Sequence, residues 1–437
     1  MQKTIFALAT GNEISALSVI RVSGKESEGI LKKLTSKKLP KERILTLRNF
    51  YYPNRKKKLI DSCLVVWMPG PRSYTGEDSL EIYTHGGDAV FQSFFSALNS
   101  IPNVRYAENG EFAKRAIING KTDLVKAEAV NDLINALTEK QRELAIRQFN
   151  RGLSIPIKKW REEIIKCMSL IEANIDFSDE NDTPKSLDIT KDLLALREEI
   201  KASLKNKDYY ELVNQGIKVV FKGKPNAGKS SIFNSILKKQ KAIVSNTPGT
   251  TRDILEGQIN FKGHAITFYD TAGITKTENS IEKEGIRRTR KLFKEADIIL
   301  NITEDENFLP KSLKKKEWLI LNKIDKSKKT KKKLEDKAIL VSAKTGEGLE
   351  DILEKIHKEI MEKTKRLNDP KNIILNLRQA KELEEAEHTI TKALEENSEE
   401  IISEHLRQAI RSLERIIGNI DVEEVLGNIF SNFCIGK

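Results

Sequence analysis

Gly223-Lys224-Pro225-Asn226-Ala227-Gly228-Lys229-Ser230 follows directly on the apolar run Ile217-Lys218-Val219-Val220-Phe221. The pattern is that of a buried strand running into a phosphate loop, G-x-x-x-x-G-K-S. Glycines at 223 and 228 allow the tight backbone path that aims N–H groups at a polyphosphate. Lys229 reaches the terminal phosphates as a point charge, and the Ser230 hydroxyl suits Mg²⁺. A helix opening near Ser231 adds its positive end to the same anion site. The bland alternative is a chance match in a lysine-rich chain, and three further elements in sequence order speak against it.

Asn322-Lys323-Ile324-Asp325 follows the apolar stretch Trp318-Leu319-Ile320-Leu321. A carboxylate at a strand end accepts hydrogen bonds from the N1–H and exocyclic amine of guanine, whereas adenine leaves it unmatched. Asp325 is thus the expected guanine reader, with Asn322 bracing the loops and the Lys323 stem over the base. Asp270-Thr271-Ala272-Gly273 closes the strand Ile266-Thr267-Phe268-Tyr269. There Asp270 would hold Mg²⁺ through water and the Gly273 N–H would meet the γ-phosphate. Ser342-Ala343-Lys344 follows Ala338–Val341, so the Ala343 amide is placed to donate to the guanine carbonyl. With Gly249-Thr250-Thr251-Arg252-Asp253 in between, the order resembles the translation-factor-like GTPases. A GTP-hydrolysing domain with a Ras-like α/β fold and a parallel-type sheet is expected.

The hydrolytic residue is less direct. In Ras-like switches a glutamine after the D-x-x-G glycine orients the attacking water, and here Ile274 takes that place. Glu282 and Glu284 in the same segment are the candidates to replace it. No arginine finger is obvious: Arg252 adjoins the switch, where a loop salt bridge is at least as good a reading of it. A monovalent cation would stabilise the transferring charge instead. Asn226 and the loop Ser245-Asn246-Thr247-Pro248-Gly249-Thr250 offer the oxygen ligands that a hard cation prefers.

At 437 residues the chain should hold two to four domains. Hydrophobic content of 38% beside 32% charged residues fits a soluble globular protein, with no apolar run long enough for a membrane and no signal-peptide pattern. Cys63, Cys167 and Cys434 are too widely spaced for a metal or disulfide framework, which agrees with a reducing cytoplasm. The net charge of +12 favours a polyanionic partner, although the lysine runs at 311–316 and 326–333 read first as solvated loops.

Up to about Glu111 short β-rich runs (Ala16–Arg21, Ile44–Tyr51, Cys63–Met68, Ser79–Tyr83) alternate with Gly- and Pro-rich turns, as in an α+β domain. From about Ala127 the period becomes helical: Leu153, Ile157, Trp160, Ile164, Met168, Ile171 and Ile175 mark one long helix. The same spacing returns in Leu406, Ile410, Leu413 and Ile417, beyond the GTPase motifs. The economical inference is a G domain inserted into a helical domain. The expected order is 1–118 N-terminal, 119–213 helical, 214–365 G domain and 366–437 helical again.

The flanks carry the more specific marks. They are Ile20-Arg21-Val22-Ser23-Gly24, Pro69-Gly70-Pro71, Tyr74-Thr75-Gly76-Glu77-Asp78, Glu81 ahead of His85-Gly86-Gly87, and Gly110-Glu111-Phe112. Ala116, Asn119, Lys121, Asp123-Leu124, Ile175-Asp176-Phe177 and the ending Phe433-Cys434-Ile435-Gly436-Lys437 add to these. Over essentially its whole length the chain resembles the tRNA modification GTPase family called MnmE or TrmE. That resemblance implies a folate-binding, dimerising N-terminal domain, a helical domain made from two segments, and an inserted G domain. It implies a homodimer that joins a flavin-dependent partner, MnmG, in a heterotetramer. Together they would place an aminomethyl-type or carboxymethylaminomethyl-type group on carbon 5 of the wobble uridine of certain tRNAs. The one-carbon unit would come from a tetrahydrofolate derivative of the 5-formyl or 5,10-methylene type. By the same resemblance Arg21, Glu81, Lys121 and the terminal Lys437 match folate contacts. Asn226, Ser245, Thr247 and Thr250 match K⁺ ligands, Thr251 joins Ser230 on Mg²⁺, and Glu282 matches the water-orienting acid. Cys434 is expected to pack rather than react. Two stretches depart from the family's pattern: Gly11-Asn12-Glu13-Ile14-Ser15, and the short, lysine-rich span Ile302 to Trp318. The competing expectations are a ribosome-assembly GTPase that acts as an RNA-binding switch, and a folate-dependent methyl-transfer protein.

Overall fold

The computed structural model describes residues 3–11, 14–53, 58–176, 189–240, 255–270, 287, 290–305, 314, 316–326, 338–365, 373–420 and 436. They fall into two compact units. One comprises Met1–Asn131, Ser154–Leu187 and His388–Lys437, and the other Asp132–Leu153 and Asp188–Glu387.

In the first unit β1 (Thr4–Leu8), β2 (Ser15–Ser23), β3 (Thr46–Tyr51), β4 (Leu59–Met68), β5 (Ser79–Gly86) and β6 (Val104–Tyr106) form a mixed sheet in the order β3-β4-β5-β2-β1-β6. Only the β1–β6 pair in it is parallel. Helices α1 (Ser27–Thr35) and α2 (Asp88–Asn99) cover one face, burying Ile30, Leu34, Phe94 and Leu98 against Phe6, Ile20, Val65 and Leu80. The strand alternation is clear in β4, where Asp61, Cys63, Val65 and Trp67 point inward. On the opposite face α3 (Glu111–Ile118) lays Phe112 over Ile5 and Ala7.

Fully enclosed Arg115 of α3 pins the loops around this face. Its Nη1 donates to both Glu77 oxygens (3.2 and 3.0 Å) and its Nη2 to Glu111 (2.9 Å) and the Lys3 carbonyl (2.7 Å). Burial works against a charged Glu111, yet hydrogen bonds from Arg105, the Glu108 N–H and Arg115 hold its carboxyl below the usual range. Further along the chain α6 (Ser154–Asp176) pairs with the helix α12 (Glu399–Ile417). Their apolar stripes, Ile157, Trp160 and Ile164 on one and Leu406, Leu413 and Ile416 on the other, are buried. Arg161 donates to Glu414 (2.7 Å) and Arg407 to Glu172 (2.9 Å), which fixes the two helices as antiparallel across 253 and 235 residues of sequence.

In the second unit β7 (Ile217–Gly223), β8 (Leu255–Phe261), β9 (His264–Asp270), β10 (Ile298–Thr303), β11 (Glu317–Leu321) and β12 (Ile339–Leu340) build a sheet in the order β12-β11-β10-β7-β9-β8. All its pairs are parallel except β8–β9. The order reverses at β7, so the crevice at the strands' C-terminal ends opens beside it, where α/β sheets bind ligands. Helices α9 (Lys229–Lys239) and α10 (Leu349–Lys365) pack on one face over Val219, Phe221, Leu300 and Ile320. Among the described residues no helix is long and apolar enough to cross a membrane.

His264, buried at the start of β9, lies against His357 of α10 with ring centroids 5.4 Å apart. Burial, then His357 and Lys140, press its pKa from 6.5 down to about 4. A neutral native histidine facing an unfolded one of ordinary pKa means the unfolded chain binds more protons between those values. Stability of this unit should therefore be complete above about pH 6.5 and decline towards pH 4. A His264→Phe variant should lose less of its urea midpoint between pH 7 and pH 5 than the parent, as read by denaturation of both.

Candidate functional site

At the C-terminal edge of the second sheet, β7 hands over to α9 through the loop expected to bind phosphate. Gly223 has φ 155° and Gly228 φ 92°. A Cβ at Gly228 would stand 2.0 Å from Asn322 Nδ2, so neither the backbone angle nor the space admits a side chain there. Lys229 heads α9 and is buried, its ammonium donating to the carbonyls of Gly223 and Lys224 at 3.0 Å each. The Ser230 hydroxyl donates to Oδ2 of Asp270 (2.5 Å), whose side chain is wholly buried at the end of β9. A hydroxyl and a carboxylate converging at a helix N-terminus are hard oxygen donors that fit Mg²⁺.

Three loops are tied together by one amide. Asn322 Nδ2 donates to the Ala227 carbonyl (3.0 Å), and Asn322 Oδ1 accepts from the Ala343 N–H (3.2 Å). Lys323, in the left-handed region at φ 65°, sends its ammonium to the Asn226 carbonyl (3.1 Å) and pairs with Glu304. Asp325 is exposed, and Ser342 Oγ donates to its Oδ1 at 2.8 Å. That hydrogen bond, helped by Lys344 and Lys326, holds the carboxyl below its ordinary value. Asp325 is therefore ionised, an exposed acceptor with one oxygen oriented by serine. Ser235 of α9 donates to the Ala343 carbonyl (2.9 Å) and so fixes the peptide that joins Ala343 to Lys344.

The first unit holds a second constellation on the sheet face that α3 partly covers. Arg21 and Glu81 are register partners across β2 and β5. Arg21 Nε and Nη2 both donate to Glu81 Oε1 (3.0 and 2.9 Å), and Tyr83 OH donates to Glu81 Oε2 (3.1 Å). The guanidinium lies over the rings of Tyr74 (5.3 Å) and Phe112 (5.8 Å) and donates to the Gly436 carbonyl (3.4 Å). Gly436 itself, at φ 107°, packs so closely on β1 that a Cβ would meet the Leu8 carbonyl at 2.3 Å. The stem of Lys121 lies against Gly76, whose own Cβ would meet it at 3.0 Å. An ionic and aromatic cradle of this kind fits a flat heterocycle carrying carboxylates.

A family model for the GTP-binding protein TrmE N-terminus matches residues 4–121, and one for the MnmE helical domain matches residues 124–434. The tRNA modification GTPase MnmE of Sinorhizobium medicae (strain WSM419) is 37% identical over 445 residues, covering 99% of each chain. That of Agrobacterium fabrum is 38% identical over 449 residues, again covering 99% of each. The chain belongs to the tRNA modification GTPase MnmE family. Among solved structures it is similar to the G domain of the T. maritima FeoB iron transporter, 29% identical over 32% of this chain and 97% of that one. The TM-score is 0.25, so the G-domain fold rests on strand order instead.

In this MnmE-family chain the described members of the expected nucleotide set gather at one sheet edge: Asn226, Ala227, Gly228, Lys229, Ser230, Ser231, Asp270, Asn322, Lys323, Asp325, Ser342, Ala343 and Lys344. Ser245, Asn246, Thr247, Pro248, Gly249, Thr250, Thr251, Thr271, Ala272, Gly273, Glu282, Glu284, Cys434 and Lys437 lie outside the described residues. The helix after the loop starts at Lys229, two residues before the expected opening. Sequence reasoning missed Ser235 and Glu304, because no local pattern marks a serine or glutamate whose partner is brought by another loop, and Tyr83, whose partner Glu81 stands two residues away on the same strand.

Proposed function

We propose that this chain is a K⁺-dependent GTPase that, with the flavin-dependent partner MnmG, modifies carbon 5 of the wobble uridine of certain tRNAs. A tetrahydrofolate derivative would supply the one-carbon unit. Its family supports the coarser statement, a GTP hydrolase acting in tRNA modification. The observation that carries the finer one is the coexistence of two sites on one chain, the Ser230–Asp270 and Asn322 assembly and the Arg21–Glu81–Gly436 cradle.

In this reading Lys229 and the first N–H groups of α9 bind the terminal phosphates. Ser230 and Thr251 hold Mg²⁺, with Asp270 behind a water. Asn226, Ser245, Thr247 and Thr250 hold K⁺, which supplies positive charge where other GTPases bring an arginine. Glu282 orients the attacking water and accepts its hydrogen bond. In the cradle Glu81 meets the donor edge of the pterin, while Arg21, Lys121 and Lys437 meet the carboxylates. The proposed organisation is 1–118 for folate binding and dimerisation, 119–213 and 366–437 as one helical domain, and 214–365 as the G domain. The antiparallel pair α6–α12 supports joining the two helical segments. The homodimer is supported by exposed Leu47 and Leu64, cross-strand partners on the cradle's own face. A cytoplasmic location follows from the tRNA substrate.

The experiment is mass spectrometry of wobble uridines in tRNA from a deletion strain. The chain should restore the modified base, and Glu282→Ala should not, although it binds GTP near-normally, because water orientation acts mainly in the transition state. Equal GTP turnover in K⁺ and Na⁺ would remove the cation from the proposal.

A further inference from the structure

The face of the second unit's sheet turned away from α9 and α10 carries a groove whose lining includes none of the residues expected to bind nucleotide. It measures about 530 Å³, with Lys222, Lys294, Lys314 and Lys316 on its rim and Phe293 and Ile299 as its floor. Glu317 is the carboxylate that lines it. Two of the lysines are held in place. Lys222 donates to Glu317 (3.2 Å), and Lys316 donates to the Ala296 carbonyl (3.0 Å). Lys294 and Lys314 are exposed.

We propose that this groove takes the phosphate backbone of RNA, with the tRNA substrate as its source. The inference rests on the tRNA-modification reading above and adds the surface that meets the nucleic acid. Four ammonium groups face one carboxylate, on a chain whose net charge is +12. Lysine meets a phosphate as a point charge and carries no base preference, which suits a contact that positions RNA without reading its sequence. Four of its seven lining residues are lysines, a residue type depleted from protein–protein interfaces, so the composition favours a polyanion over a protein partner. Phosphate contacts need only the charges, each releasing condensed counterions.

The test is binding of labelled tRNA to the full chain across a series of KCl concentrations, for the parent, for a Lys294→Gln/Lys314→Gln double variant and for Glu317→Gln. GTP affinity serves as the control for folding. The double variant should bind about tenfold more weakly at 0.1 M salt, and its log–log salt slope should be shallower by about two. Glu317→Gln removes the opposing charge and should tighten binding, a change of sign that misfolding does not produce. Parental affinity and slope in the double variant would overturn the groove while leaving tRNA as a substrate. Absence of tRNA binding by the parent would overturn both. A double variant that keeps tRNA but loses an acidic protein partner would assign the groove to protein and overturn the proposal.

Discussion

Asp325→Asn should lose GTP affinity by roughly a thousandfold and gain affinity for xanthosine triphosphate. Ser342 Oγ donates to Oδ1 of Asp325, so in the variant the amide carbonyl keeps that place and the NH₂ takes the position of the other oxygen. Guanine then brings its own N1–H and amine against a donor, leaving three donors without an acceptor. Xanthine offers a carbonyl where guanine has its amine, and the pair is restored. The phosphate loop is untouched, because Asn322 rather than Asp325 connects the base loops to Ala227 and Ala343. Titration of both nucleotides decides the matter: a variant that holds GTP as the parent does would show that Asp325 does not read the base.

Removing residues 434–437 should abolish binding of 5-formyl-tetrahydrofolate, by a hundredfold or more on the order expected for losing a charged anchor and a pocket wall. GTP affinity should stay within about twofold, since the loops that would hold it belong to the other unit. The Gly436 carbonyl receives Arg21 Nη1, and the backbone there lies directly on the Leu8 carbonyl. Gly436→Val is the finer variant. It keeps Lys437 but cannot approach β1, because its Cβ would overlap the Leu8 oxygen and its φ would be strained. Calorimetry on both should show the same loss. Parental folate affinity in the truncated chain would refute the cradle.

The nucleotide loops were legible because their chemistry is local. A strand, two glycines, a lysine and a serine within a dozen residues leave few alternatives, and β7, β9 and β11 lie where their apolar runs predict. The cradle was legible only through resemblance. Arg21 and Glu81 are 60 residues apart, and what makes them a pair is the β2–β5 register, which the sequence states nowhere. In the first sheet two strands escaped notice for opposite reasons. In β1 all five residues are buried, so Thr4–Leu8 shows no alternation, while β6 is three residues long. Helix α3 likewise begins at Glu111, before the expected change of period near Ala127, because its polar residues Glu111 and Arg115 are buried in an ionic network rather than displayed outward.

The pairing of α6 with α12 bears on how the chain is made. Arg161 leaves the ribosome 253 residues before its partner Glu414. At about 5–20 residues per second, Ile157, Trp160 and Ile164 wait on the order of tens of seconds for the helix that covers them. During that interval the whole second sheet is synthesised and is free to fold. The nascent chain thus carries a completed nucleotide-binding unit beside an unmatched apolar helix, a substrate for a holding chaperone and a site where two neighbouring nascent chains could exchange helices.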